Sequence, residues 1–184
     1  MAEQTAIDFI KDQHQQIRNF FNGLGDGKGA DAQEQFDDLL RLLAVHETAE
    51  EIVIYPTLKQ VPGGEQIAEA RKEEEDKAKK ELQELEKLGA SADAFPDRVA
   101  AFRAMVESHA DAEEREVLPL LAQHVEQGQL ESMRQSLIAA EASAPTHPHK
   151  TAPESATGNL VMGPFVAIVD RVRDALKSVT SSSS

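Results

Sequence analysis

Apolar positions recur along most of the chain with the three-and-four spacing of helices. Ile7, Ile10, His14, Ile17, Phe21 and Leu24 form one stripe of a helix predicted over about residues 3–22, before Gly23, Gly25, Gly27 and Gly29 break the period. A second helix, over about residues 31–61, aligns Phe36, Leu39, Leu43, His46, Glu50 and Ile54, and Pro62, Gly63 and Gly64 stop it. A third, over about residues 65–88, aligns Arg71, Glu75, Ala78, Leu82 and Leu85 and ends before Gly89. A fourth starts near Pro96, a residue suited to a first helical turn, and runs to about residue 125. Its stripe is Val99, Phe102, Val106, His109, Glu113, Val117 and Leu120, and Phe95 is a candidate anchor for the preceding loop.

Four long helices with short connections predict an all-α fold, an up-down-up-down four-helix bundle. A short further helix over residues 130–142 trails it, so that the first domain spans residues 1–143. Residues 144–160 hold three prolines and few apolar residues and read as a linker. Residues 161–184 read as a C-terminal extension: an amphipathic helix through Phe165, Ile168, Val172 and Leu176, and a frayed serine end. This helix is expected to pack back on the bundle or to join copies of the chain into a homo-oligomer.

Composition narrows the chemistry. The chain of 184 residues has no cysteine, which excludes disulfides, thiolate metal sites and thiol catalysis. No apolar run approaches the roughly 20 residues that span a bilayer, and no apolar signal core opens the chain, so a cytoplasmic protein without a membrane partner is expected. A formal net charge of −14 argues against nucleic acid as a partner, because that needs a cationic surface.

The polar residues inside the apolar stripes carry the candidate site. The segment HETAEEIVIYPTL from His46 agrees with HADAEEREVLPLL from His109 at six of thirteen positions, sixty-three residues apart. In each, a histidine and a glutamate four residues on lie one above the other at core phase. His14 holds core phase in the first helix, and Glu75 takes the matching place in the third, sixty-one residues later. The chain thus reads as two copies of one hairpin, each giving one ligand from its first helix and an HxxxE pair from its second. A carboxylate at core phase needs a partner, because burying it alone costs several kcal/mol. Bound divalent cations supply one, since imidazole and carboxylate suit iron, zinc and related ions. The metal candidates are His14, His46, Glu50, Glu75, His109 and Glu113.

These motifs, DQHQQI at His14, HETAE at His46 and HADAE at His109, make residues 5–125 resemble the hemerythrin-like HHE cation-binding family. The resemblance implies a hemerythrin-type bundle around two non-haem Fe ions, with Glu50 and Glu113 bridging. It assigns His14 and His46 to one iron and His109 to the other. It implies a small-molecule ligand such as O2, NO or peroxide. The family usually places histidine on the third helix, where this chain has RKEEEDKAKKEL; Glu75 is the substitute, with Glu74 one residue out of phase as the fallback. Lys79, one turn beyond Glu75, does not replace a histidine while protonated. Carboxylate in place of nitrogen stabilises ferric iron. That favours peroxide- or NO-consuming oxidoreductase chemistry, or iron and redox sensing, over reversible oxygen carriage. An iron-holding module without turnover and a metal-free structural bundle are the alternatives.

The remaining polar residues read more plainly. Glu47, Glu51 and Glu114 are expected to be exposed charges. His124 lies about 22 Å along the helix from His109, too far for one centre. His147 and His149 flank a linker proline and read as spacer rather than as a second metal site. Tyr55 is read chiefly as packing, with a hydrogen-bonding or redox role as the alternative. Pro56 and Pro119, at matching repeat positions, are expected to bend their helices and flare one end of the bundle.

Overall fold

The structure, a computed structural model, describes residues 4–24, 30–143 and 164–181. The 144–160 linker with His147 and His149, the glycine loop at 25–29, the side chain of Phe165 and the last three serines lie outside the described residues. Among the described residues the regular elements are all helices, with no strand. The helices are α1 (Ala6–Leu24), α2 (Ala30–Ala49), α3 (Tyr55–Leu58), α4 (Gly64–Leu88), α5 (Phe95–Ala112), α6 (Leu118–His124), α7 (Gln127–Ser143) and α8 (Pro164–Ser181). A π-helical turn, Glu50–Ile54, joins α2 to α3, and another, Glu113–Val117, joins α5 to α6.

Local chemistry sets the ends. Thr5 caps α1: its backbone N–H and its hydroxyl both donate to Asp8 Oδ2 at 2.8 Å, which starts the helix at Ala6 rather than near residue 3. Gly63 takes a left-handed φ of 80°, and a side chain at Gly64 would meet the Leu58 carbonyl oxygen at 1.9 Å, so the turn from α3 to α4 requires glycine. Phe95 is buried and meets Phe36 edge to face with centroids 5.2 Å apart, which anchors the loop into α5.

The π turns correct the expected bends. Pro56 and Pro119 have no N–H to donate, and each ring would press on the carbonyl four residues back. The helices continue through both: the Tyr55 N–H donates to the Glu50 carbonyl, and the Leu118 N–H to the Glu113 carbonyl. Each widened turn begins at the glutamate of an HxxxE pair, in keeping with the placement of π bulges at functional sites. It also takes up an additional residue. Leu121, not Leu120, therefore follows Val117 into the core, while Leu120 is half-buried.

The four predicted stripes otherwise face one another, with only Ile7 half-buried among those of α1. α7 is longer than expected and packs on α1 and α2 through Leu130, Met133, Leu137 and Ala140. α8 lies against α2 and α7, where Ile168, Val172 and Leu176 are buried; its apolar stripe is thus used within its own chain. Among the described residues no helix is long and apolar enough to cross a membrane.

Candidate metal centre

Two groups of buried donors meet at mid-bundle. His14, His46, Glu50 and Glu113 offer atoms all within 4.8 Å of one another, and so do Glu50, Glu75, His109 and Glu113. Glu50 and Glu113 belong to both. The structure thus brings together all six residues singled out from the sequence. Each of the four long helical runs contributes: α1 gives His14, α2 and its π turn give His46 and Glu50, α4 gives Glu75, and α5 and its π turn give His109 and Glu113. His124 is exposed at the end of α6 and takes no part.

Each imidazole is aimed by a neighbour. His14 Nδ1 donates to Glu114 Oε1 at 3.0 Å, His46 Nδ1 to Gln13 Oε1 at 3.0 Å, and His109 Nδ1 to Glu74 Oε2 at 3.0 Å. In the tautomer with the proton on Nδ1, all three Nε2 lone pairs face inward, the arrangement in which outer acceptors orient metal-ligating histidines. Inward, Nε2 of His14 lies 3.2 Å from Glu113 Oε2, Nε2 of His46 3.4 Å from Glu50 Oε2, and Nε2 of His109 3.5 Å from Glu113 Oε1. Adjacent donors around an octahedral ion with bonds of about 2.1 Å stand about 3 Å apart, so these spacings suit a cation between them. Glu50 Oε2 and His109 Nε2 are buried with no hydrogen-bond partner, a cost that a cation would remove. The donor set fits divalent or trivalent first-row metals.

Outer cations cover the aiming carboxylates. Arg18 binds Glu114 at 3.1 Å and Asp111 at 2.8 Å, and Arg71 binds Glu74 at 2.9 Å. On the remaining side, Lys79 Nζ donates to Glu51 and, at 3.2 Å, to Glu75 Oε2. The Tyr55 hydroxyl contacts Glu75 Oε1 and lies 2.9 Å from Glu113 Oε1. A cavity of about 10 Å³, enough for one water-sized molecule, adjoins the centre. His14, His46, His109, Glu47 and Glu75 line one part of it, and Ile17, Leu43, Ala78, Val106 and Ala110 the rest.

Burial without a metal shifts the acids. It pushes Glu75 up to about 9 and Glu47 up to about 8, with nearby carboxylates adding to the effect against the pull of Lys79. It lifts Glu50 well above the carboxylate range, reinforced by Glu113 and Glu75. Burial opposes ionisation of Glu113 too, but His109 and the hydrogen bond with His14 outweigh it and bring Glu113 down to about 2. Burial, with His14 alongside, lowers His46 to about 3. The metal-free centre therefore holds protons on carboxylates that a metal would displace.

Several expectations need correction. Glu47 is buried, not exposed, and Glu51 and Glu114 are half-buried. Glu74, the fallback ligand, stands outside both donor groups; it orients His109 and pairs with Arg71. Tyr55 is not packing alone: its hydroxyl hydrogen-bonds inside the site, as the alternative reading had it. Sequence reasoning missed Gln13, Glu74 and Glu114 as aiming groups. Each stands beside a ligand candidate in the chain, and a polar residue one position from a core-phase ligand was the available signal.

Fold and site together define a helical-bundle metal-binding domain. The hemerythrin HHE cation-binding domain matches residues 5–121, and the chain belongs to that family. It is 25% identical over 173 residues to an uncharacterised hemerythrin-like protein of Schizosaccharomyces pombe, covering 92% of this chain and 85% of the relative. The fold is similar to the crystal structure of a hemerythrin HHE cation-binding domain-containing protein from Mycobacterium kansasii, with a TM-score of 0.68 and 22% identity over 76% of this chain and 86% of that one.

Proposed function

We propose that the chain is a non-haem di-iron protein that reacts with a small ligand, O2, NO or peroxide. His14, His46, Glu50 and Glu113 would hold one iron; Glu50, Glu75, His109 and Glu113 would hold the other. The observation that carries this reading is the sharing of Glu50 and Glu113 between two donor groups beside a cavity with room for one water-sized molecule. Iron there would supply redox chemistry and an open coordination position. The chain's own residues do the rest. Gln13, Glu74 and Glu114 keep the imidazoles aimed, and Tyr55 and Lys79 hold Glu75 by its two oxygens. Ile17, Leu43, Ala78, Val106 and Ala110 keep bulk water from the cavity. Three imidazoles against three ligating carboxylates favour the ferric state, which supports turnover of peroxide or NO rather than oxygen carriage.

The test is anaerobic loading of metal-free protein with Fe(II), desalting, metal quantitation, and then rapid mixing with peroxide and with NO. Two irons per chain and a reaction with either ligand are expected, and Ala110→Leu, which fills the cavity, should block the reaction while keeping the iron. A chain that retains no iron refutes the metal reading. Iron retained without reaction leaves an iron-holding module in its place.

A further inference from the structure

The two donor groups are enclosed, since His14, Glu50, Glu75 and Glu113 are at most 1% exposed, and a cation must still reach them from water. Resting on the metal-binding reading, we propose that Glu51, Glu47 and Glu75 form a transit site for divalent cations, gated by the ammonium of Lys79. On two other sides imidazole rings stand behind outer ion pairs. His14 stands behind the Arg18–Glu114 pair, and His109 behind the Arg71–Glu74 pair. On the side of α2 and α4, carboxylates rather than imidazoles stand behind the outer cation, Lys79. Glu51 is half-buried at its rim, and Glu47 and Glu75 are buried inside.

Lys79 Nζ is the common neighbour of all three carboxylates: it bonds Glu51, lies 3.2 Å from Glu75 Oε2 and lies 3.8 Å from Glu47 Oε2. An independent observation points to a visiting cation. Glu47 Oε2 is buried with no hydrogen-bond partner, and Glu47 lines the cavity beside the centre. A buried carboxylate oxygen left without a donor is costly unless something visits it. Lys79 is on a long unbranched chain and 19% exposed, so it has room to swing outward. At the rim, Glu51 Oε1 is 3.8 Å from Lys72 and Glu51 Oε2 is 3.6 Å from Arg173 of α8, which keep the outer carboxylate paired while the gate is shut. A divalent ion that displaces the ammonium finds oxygen donors on three sides, the ligands hard cations prefer. Glu75 belongs to both the transit site and the second donor group, so handover needs only a shift across one carboxylate.

The experiment follows uptake of Co(II), which is not oxidised on binding, by its absorption in rapid mixing with the metal-free full chain. Wild type should take up two Co(II); no uptake at all would overturn the metal-binding reading itself. Given that uptake, Glu51→Gln should load about tenfold more slowly to the same final two, because it weakens the field that draws cations in. Lys79→Met should retain a third Co(II) after desalting, and Lys79→Arg should keep two. Wild-type loading rates in Glu51→Gln, or no third ion in Lys79→Met, would overturn the transit site while leaving the centre intact. Melting of metal-free Glu51→Gln at the wild-type temperature checks that slow loading is not misfolding.

Discussion

Glu75→Gln should raise the stability of the metal-free protein and reduce the further rise that metal gives it. Burial raises the Glu75 carboxyl from 4.5 to about 9 in the folded, metal-free chain. The sign follows from linkage: a carboxyl whose folded value is raised costs nothing below its unfolded value, and weakens the fold increasingly as pH rises from 4.5 towards 9. At pH 7 the cost is roughly 3 kcal/mol at most, and coupling to Glu47 and Glu50 spreads it over the group. Gln keeps the shape and still accepts from Tyr55 without the ionisation cost, although its amide nitrogen gives up the bond that Oε2 accepts from Lys79. At roughly 2–4 °C per kcal/mol for a chain of this size, the metal-free variant should melt up to about 10 °C higher. In the loaded protein the same change removes a ligand from the second position. A metal at 100 times its dissociation constant contributes about 2.7 kcal/mol, and the variant loses this at the second position; set against the metal-free gain, the loaded variant should keep one ion and melt near the loaded wild type, with its rise on loading smaller by roughly 5–10 °C. Calorimetry at pH 7 with and without metal, paired with metal quantitation, reads all of this. Equal falls in both forms would make Glu75 a structural residue. Two retained ions and an undiminished rise on loading would remove it from the centre.

Two other outcomes are expected. Glu74→Ala frees the His109 ring, with Nδ1 losing its 3.0 Å acceptor, and should weaken the second metal about 10–100-fold in a competition titration while leaving the first; equal affinity would show that the hydrogen bond does not orient the ring. Leu176→Ala, 1% exposed in α8, should cost about 2–5 kcal/mol in denaturant unfolding, whereas a helix detached from the bundle would give no change.

The helices and the six inward ligand candidates were legible in the sequence because both rest on local periodicity. The spacing of Ile10, His14, Ile17 and Phe21 is a property of one helix and needs no partner to be seen. The doubling of HxxxE and the matched places of His14 and Glu75 carried the reading from single helices to a shared centre, since a repeated hairpin implies repeated geometry. The place of α8 was half legible: its stripe predicted burial, but nothing local says that α2 and α7 are the surface it meets.

What the tertiary structure decided lies between helices. Glu47 follows His46 and was read as a surface acid, yet α4 packs over it and Lys79 supplies the charge that makes its burial bearable. Glu74 is out of phase with Glu75 by a helical rotation, which removes it from the centre but delivers it to the back of His109 on a different helix. Tyr55 reaches Glu75 and Glu113 because a π turn precedes it, and a widened turn leaves no trace in a spacing of three and four. Periodicity along one chain determines which face a residue takes. Only packing determines what stands opposite that face, and the charge, hydrogen bonding and access of this centre all depend on what stands opposite.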